Sequence, residues 1–251
     1  MQNDLAIITI GSAFNEDIYK TISSVISNGD MPGIWIFTVF NEDEKVYLDD
    51  YLRNEIKIKF FYIILTNSNG ISSALNQSIR YLYKYDCLIW ILHAGDLCTR
   101  KFLNEINSKP RFNFNFFPIY IEKFSSNKKK IAYTNQGWVE LIKNKPCILH
   151  QGLVVRIQIF KEFGLFDEKL SSIMDFEWFF RISISKKKIS CSYYDNPIAS
   201  FKLGGKSADI FTSSLEHYQV FRKYKHSILI ALLKSTKLFF LKILYTFYYF
   251  R

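Results

Sequence analysis

Four short apolar runs, Leu5–Ile10, Gly33–Phe40, Lys59–Leu65 and Leu88–Leu92, open this chain, with amphipathic stretches between them. Ile18, Ile22, Val25 and Ile26 fall at helical spacing within 18–26. Glu44–Arg53 is partly periodic. Ile71–Tyr83 sets Ile71, Ala74, Leu75, Ile79 and Leu82 on one face. The apolar runs are too short for helices and hold few alternating polar residues, so they read as strands buried on both faces. Strands alternating with helices predict a mostly parallel sheet, because parallel neighbours need a crossover between them. With 251 residues, 49% of them hydrophobic, and only 10 Gly and 5 Pro, one large domain with a substantial core fits and a fibrous or disordered chain does not.

Beyond residue 111 the pattern changes. Arg111–Ile121 is aromatic and strand-like, Asn127–Lys130 reads as a polar hairpin turn, and Ile131–Tyr133 as a returning strand. Leu153–Ile157 reads as a strand, followed by a helix around Gln158–Phe163 and a turn at Gly164–Asp167. Phe176–Ile184 reads as an apolar helix and Ile189–Tyr194 as a last strand.

The formal charge of +10 raises the question of nucleic acid or an anionic membrane. No acidic residue follows Glu216, whereas Arg222, Lys223, Lys225, Lys234, Lys237, Lys242 and Arg251 do; residues 1–216 carry 26 basic against 23 acidic side chains. The excess therefore belongs to the tail, which argues against a nucleic-acid-binding body. The cysteines, Cys87, Cys98, Cys147 and Cys191, form no CxxC pair and no zinc-type spacing, and are expected to be reduced in a cytosolic compartment. The N-terminus shows neither a basic n-region nor an apolar h-region, so secretion is not expected.

His93-Ala94-Gly95-Asp96 follows the fourth apolar run directly. In open α/β sheets ligands bind beyond the carboxyl ends of strands. An Asp there can hold a hard cation that grips phosphate, or be a turn residue or a helix N-cap.

Four stretches together resemble the family 2 glycosyltransferases of bacterial polysaccharide assembly, of the O-antigen and colanic-acid type, over roughly residues 5–210. Ile8–Asn15 is similar to the family's first strand and Tyr/Phe-Asn loop. Gly70-Ile71-Ser72-Ser73-Ala74-Leu75-Asn76 resembles its Gly-Ile-x-x-Ala-x-Asn helix start. Trp90–Asp96 stands at its Asp-x-Asp-type metal motif. His150-Gln151, Phe163-Gly164-Leu165-Phe166-Asp167-Glu168 and Asp175–Arg181 follow in the family's order. Phe201–Ser207 resembles its Gly-Gly-x-Ser loop.

The resemblance implies a GT-A fold, a Rossmann-like, mostly parallel sheet flanked by helices, with a C-terminal amphipathic helix. It implies an inverting, metal-dependent glycosyltransferase that moves a sugar from a UDP-, GDP- or dTDP-linked donor to a glycan or polyprenyl-diphosphate-linked acceptor. Asp175 matches the catalytic base; local sequence alone reads it equally as an N-cap. Asp96 would hold Mg²⁺ or Mn²⁺ against the leaving diphosphate. Ala13, Phe14, Asn15, Asn41, Gly70, Asn76, His93, Gly204, Gly205 and Ser207 would lie along the nucleotide sugar. Glu177, His150 and Gln151 would face the acceptor or support the residues that do. Departures are visible: His93 stands where the family often has Asp or Asn, Gly95 where it often has an acid, and Thr38–Asp43 offers no clean match to the acid that reads base or ribose. These departures motivate an alternative, a catalytically inactive GT-A scaffold. Trp138 and the aromatic 112–133 region could stack on sugar or fill the core.

Ser227–Phe250 is long and apolar enough to suggest a membrane span, but Lys234, Lys237 and Lys242 interrupt it. Three lysines near a bilayer centre would cost about 8–10 kcal/mol together. The expectation is therefore a transferase domain over 1–215 and a basic amphipathic segment over 216–251. That segment would lie on the inner face of the plasma membrane with its lysines snorkelling, or pack back on the domain. No specific nucleic-acid partner is expected.

Overall fold

The computed structural model describes residues 4–29, 31–56, 60–66, 70–109, 112–123, 126–185, 187–202 and 209–250. Its first part follows the expected alternation: β1 (Leu5–Ile10), α1 (Glu16–Asn28), β2 (Ile34–Val39), α2 (Glu42–Asp50, continued by a π-helical turn Tyr51–Glu55), β3 (Phe61–Leu65), α3 (Ile71–Leu82) and β4 (Leu88–Ile91). β4 leads through a tight turn to β5 (Leu97–Cys98) and α4 (Leu103–Asn107). Then come β6 (Phe114–Phe116), β7 (Ile119–Lys123), β8 (Ser126–Ala132), α5 (Trp138–Leu141), β9 (Leu153–Arg156), α6 (Ile157–Phe163), α7 (Met174–Ile184), β10 (Cys191–Tyr193), β11 (Ala199–Lys202), α8 (Ile210–Lys223) and α9 (Ile228–Phe250).

Seven strands form the main sheet in the order β10-β6-β9-β4-β1-β2-β3, and only β9 runs against its neighbours. Both faces are covered. In β1, Ala6, Ile8 and Ile10 pack into one core with Phe114, Trp138 and Trp178, while Leu5 and Ile7 pack into another with Trp35, Trp90 and Phe117. Period-2 alternation thus feeds two cores, which is why the strands read as unbroken apolar runs.

A second sheet, β5-β11-β7-β8, was not foreseen. The expected strand 111–121 is two strands in two sheets, broken at Phe117-Pro118. Pro118 has no N–H for a ladder and restricts the residue before it. Phe117 N–H instead donates to Gly152 O (2.7 Å) and the chain crosses to the small sheet. The expected turn at 127–130 is strand, part of β8 antiparallel to β7.

The tail departs further. The expected boundary at 216 falls inside α8, whose Glu216 carboxylate accepts from the N–H groups of Ser171, Ser172 and Ile173 (2.7, 3.0 and 3.1 Å). α9 packs on α8 with Ala231, Ser235 and Leu238 buried. Two of its three lysines turn toward the body, as the packed-back alternative expects, while Lys237 is exposed. Lys234 donates to Lys143 O (2.8 Å), and Lys242 to Ser213 Oγ (2.7 Å) and Asp209 O (3.3 Å), so both point toward the body. Ile228, Leu229, Ile230, Leu232, Leu233, Phe240, Leu241 and Leu244 are exposed. Among the described residues no helix is long and apolar enough to cross a membrane.

Candidate functional site

β4 ends where β1 ends, and the turn after it is fastened there. Ala94 N–H donates to Ile10 O (3.1 Å) and Gly95 N–H to Thr21 Oγ1 (2.9 Å). Two glycines make the junction possible. A Cβ on Gly11 would lie 2.3 Å from Ala94 Cβ, and Gly95 has φ +98°. Side chains disfavour both conditions. The turn carries Asp96 inward: Oδ2 accepts from His93 N–H (3.2 Å), and the other carboxylate oxygen makes no hydrogen bond.

Asp175 approaches from the opposite wall. It is not the N-cap of α7, since Ile173 holds that position and Asp175 lies in the first turn. The amides leading into the helix are taken by Glu216, so the Asp175 side chain has no capping duty beyond its neighbour Phe176 N–H (2.8 Å). Its Oδ2 lies 3.4 Å from His150 Nδ1. His150 sits on a 3₁₀ turn, His150–Gly152, just before β9. The His150 and His93 rings meet edge to face with centroids 5.6 Å apart, and His150 Nε2 is buried without a partner.

His93, Asp96, His150, Gln151 and Asp175 therefore line one cleft of about 590 Å³. Sequence reasoning missed several of its other walls. Asp17 and Lys20 come from the exposed side of α1, Glu122 from β7, and Ser200 and Lys202 from β11. The only signal for Glu122 was a lone acid inside an aromatic strand. It accepts from Ser200 Oγ (2.6 Å) and Lys129 Nζ (2.8 Å).

Burial governs the charges. It pushes the Asp96 carboxyl up to about 7, against the pull of His150. Burial and the neighbouring His150 press His93 down to about 3, so its ring is neutral at pH 7. For His150, burial acts downward but the Asp175 carboxylate outweighs it and the net shift is upward. For Asp175, burial acts upward and the His150 contact outweighs it, so the net shift is downward. The site thus holds one carboxylate that is ionised beside a cationic partner and one that still needs a cation.

Among the described residues no group of three or more His, Cys, Asp or Glu side chains gathers to hold a metal. Asp96 offers a single carboxylate with one unengaged oxygen. That donor set suits Mg²⁺ or Mn²⁺ shared with substrate phosphates, which needs only one or two carboxylates, and does not suit an all-protein cage.

The remaining expected residues lie elsewhere. Asn15 and Asn41 cap α1 and α2, accepting from Asp17 N–H (2.9 Å) and Glu44 N–H (2.8 Å). Ala13 is buried; Phe14 is exposed at the rim, its ring 5.9 Å from that of Tyr47. Gly70 begins α3 facing open space. Asn76 is engaged at both ends: Nδ2 donates to Phe166 O (2.9 Å) and Glu168 Oε1 (2.9 Å), and Oδ1 accepts from Phe166 N–H (3.0 Å). It ties α3 to the 166–168 turn and has no spare donor end for a sugar. Glu177 is fully buried, holding Arg181 (3.0 Å), Lys223 (2.8 Å) and the Tyr224 hydroxyl (2.5 Å), and does not line the cleft. Trp138 is core. Gly204, Gly205 and Ser207 lie outside the described residues.

No protein-family model matches this chain, and no curated protein sequence matches it. Its fold is shared with solved structures. TarS from S. aureus (residues 1–349, in complex with UDP-GlcNAc) superposes with TM-score 0.63 at 13% identity, over 91% of this chain and 69% of that one. The mannosyltransferase PcManGT from Pyrobaculum calidifontis, in complex with GDP-Man and Mn²⁺, gives 0.61 at 10% identity, over 94% and 74%. GalNAc-T7 with UDP, GalNAc and Mn²⁺ gives 0.56 at 14% identity, over 82% and 45%. The chain has the GT-A fold: a central, mostly parallel sheet flanked by helices, with a C-terminal helix.

Proposed function

We propose that this chain is a glycosyltransferase that moves a sugar from a UDP-, GDP- or dTDP-linked donor to a glycan acceptor in one inverting displacement. The observation that carries this reading is the shared cleft: Asp96 and Asp175, far apart in sequence, line one hollow at the carboxyl end of the main sheet. The structural neighbours were solved with UDP-GlcNAc, UDP or GDP-Man, which favours a nucleotide sugar here.

Asp175 is the base. A hydroxyl is a poor nucleophile at neutral pH, and a carboxylate within hydrogen-bond reach can take its proton as the new bond forms. His150 holds that carboxylate ionised and oriented from its place beside it on the cleft wall. One base opposite the leaving group implies inversion at the anomeric carbon through an oxocarbenium-like transition state. Asp96 would hold Mg²⁺ or Mn²⁺, which when bound supplies positive charge to the departing diphosphate. Lys20 and Lys202, also on the cleft wall, would add positive charge near the phosphates.

The acceptor is proposed to be lipid-linked, as in cell-surface polysaccharide assembly, with the protein peripheral on the cytoplasmic face of the plasma membrane. The exposed apolar face of α9 supports this. A helix that shows eight large aliphatic or aromatic side chains to the outside among its described residues, beside seven basic and no acidic residues after Glu216, matches an anionic lipid surface better than a second copy of the same basic surface.

The test is thermal stabilisation by a panel of sugar nucleotides with Mn²⁺, followed by transfer with the nucleotide that binds. A single-carboxylate metal site favours a second reading, a GT-A scaffold without turnover. If no sugar nucleotide shifts the melting temperature of the full chain, the scaffold reading replaces the enzyme.

A further inference from the structure

A second hollow, about 250 Å³, opens beyond the carboxyl ends of β6 and β10, where residues 133–136 pass over the sheet. Its back wall is rigid. Tyr194 is stacked on Phe117 with centroids 4.1 Å apart, carries the Lys109 ammonium 4.1 Å from its ring centroid, and donates its hydroxyl to Asn115 Oδ1 (3.2 Å). Tyr193 stacks on Phe116 (5.3 Å) and donates to Gln136 O (3.2 Å). Its outer wall is unused. Tyr133 is 61% exposed and meets no other ring. The side chains of Gln136 and Asp195 are exposed, line the hollow and make no hydrogen bond or ion pair among the described residues.

Free aromatic faces beside unengaged amide and carboxylate groups suit a ligand with one flat C–H face and a rim of hydroxyls, which is a pyranose. The aromatic ring covers the apolar face, while Gln136 and Asp195 can donate to and accept from hydroxyls. The volume lies just below the usual range for small-molecule pockets, about 300–1,000 Å³, so it takes one ring and not a whole nucleotide sugar.

The two hollows are neighbours. Leu149 lines the catalytic cleft and Thr134 lines this one, and Leu149 N–H donates to Thr134 Oγ1 (3.4 Å) across the wall between them. The strands β1–β3, whose loops begin the candidate nucleotide side, lie at the opposite flank of the sheet from β10. We infer that the hollow bounded by Tyr133, Gln136, Tyr193 and Asp195 binds a sugar of the acceptor chain remote from the reacting hydroxyl, so that the enzyme reads acceptor length. Binding of a saccharide rests on this geometry; its assignment to an acceptor rests on the transferase reading.

The experiment uses the full chain without donor. Oligosaccharides of one to six residues, released by mild acid from the source organism's cell-surface glycan, are titrated against wild type, Tyr133→Ala and Asp195→Ala. Each altered side chain is exposed, so melting temperatures should match wild type. Wild type should bind fragments of three or more residues at least tenfold more tightly than the monosaccharide, and each variant should lose that gain while keeping the monosaccharide affinity. Variants that bind every fragment like wild type, or a wild type that binds none, overturn the inference. If long fragments bind through Tyr133 while no sugar nucleotide binds anywhere, the saccharide site stands and the transferase reading falls. If transfer proceeds with no dependence on acceptor length, the reverse holds.

Discussion

Asp175 and Glu177 sit two positions apart in the first turn of α7 and meet opposite fates. Asp175 opens onto the cleft with a histidine behind it, whereas Glu177 is sealed among Arg181, Lys223 and Tyr224. Neighbouring acids on a helix point about 200° apart, so one turn can serve a solvent-filled hollow and a helix–helix seam at once. What separates a working carboxylate from a structural one here is the partner. Permanent cations and a phenol satisfy Glu177 and leave it nothing to accept. One backbone N–H on Oδ1 and a titratable imidazole 3.4 Å from Oδ2 leave Asp175 lone pairs to offer the cleft that it lines. The largest effect should come from breaking the first half of this contrast. Asp175→Asn should lower turnover about 10²–10⁴-fold, the usual worth of a general base, with donor affinity unchanged and a melting temperature within about 4 °C of wild type. Turnover within a few-fold of wild type would reassign the base.

Breaking the other half should be a stability event. Glu177→Gln leaves Lys223 and Arg181 without their shared counter-ion, and removing one partner of a buried pair costs about 3–5 kcal/mol. Because Lys223 is half exposed, about 2–4 kcal/mol is expected. For a domain of this size that is a fall of about 5–15 °C in melting temperature. Turnover per folded molecule should be retained. Lost turnover with an unchanged melting temperature would move Glu177 into the catalytic machinery.

Asp96 extends the comparison to an acid that forms no ion pair among the described residues and feels His150 only at a distance. With its carboxyl held up at about 7, Mn²⁺ must displace a proton at and below neutrality. Affinity for Mn²⁺ with UDP should therefore fall up to tenfold per pH unit below 7 and level off above it. The raised value also has a stability sign. It favours the folded state when Asp96 is protonated, and that contribution is lost as pH rises from the ordinary 3.8 through about 7. Asp96→Asn should consequently stabilise the metal-free protein at pH 8 and leave it nearly unchanged below pH 4. Equal effects at both pH values would remove the burial argument.

The half of the fold built from local signals was legible in sequence. β1 occupies the expected Leu5–Ile10, and α3 ends one residue before the expected Tyr83, because unbroken apolar runs and 3.6-residue spacing register burial directly. The small sheet was not legible. β5 and β11 are held by partners far away in the chain, and the expected turn at 127–130 falls inside β8. Local sequence could not decide between cap and base at Asp175 for a related reason. An acid before an apolar helix is the usual cap, and only tertiary structure brings Glu216 to those amides and frees Asp175. Similarly, Asn76 and the 166–168 turn were read as separate motifs, yet three hydrogen bonds make them one knot. The tail shows the limit of composition. Counting lysines put all three outside, but Lys234 and Lys242 find carbonyl and hydroxyl acceptors on the body, while the apolar residues read as one face are exposed.

The smallest effect separates the two α7 acids by pH. Asp175 is held below its ordinary 3.8, so its share of the His150 contact is present above that value and is lost as acid titrates the folded carboxylate. His150 is held above its ordinary 6.5, so its share is full below 6.5 and is lost as pH rises through the folded value. The two overlap between about pH 4 and 6.5. Both side chains are about one-third exposed, which limits the pair to about 1 kcal/mol. Urea unfolding of His150→Gln should therefore show its greatest loss near pH 5.5 and little at pH 8.5. Glu177→Gln should still lose stability at pH 8.5, since its Lys223 partner is held above its ordinary 10.5. A His150→Gln loss that is flat with pH would mean that His150 packs beside Asp175 without sharing its charge. The distinction between the working acid and the structural one would then have to come from burial alone.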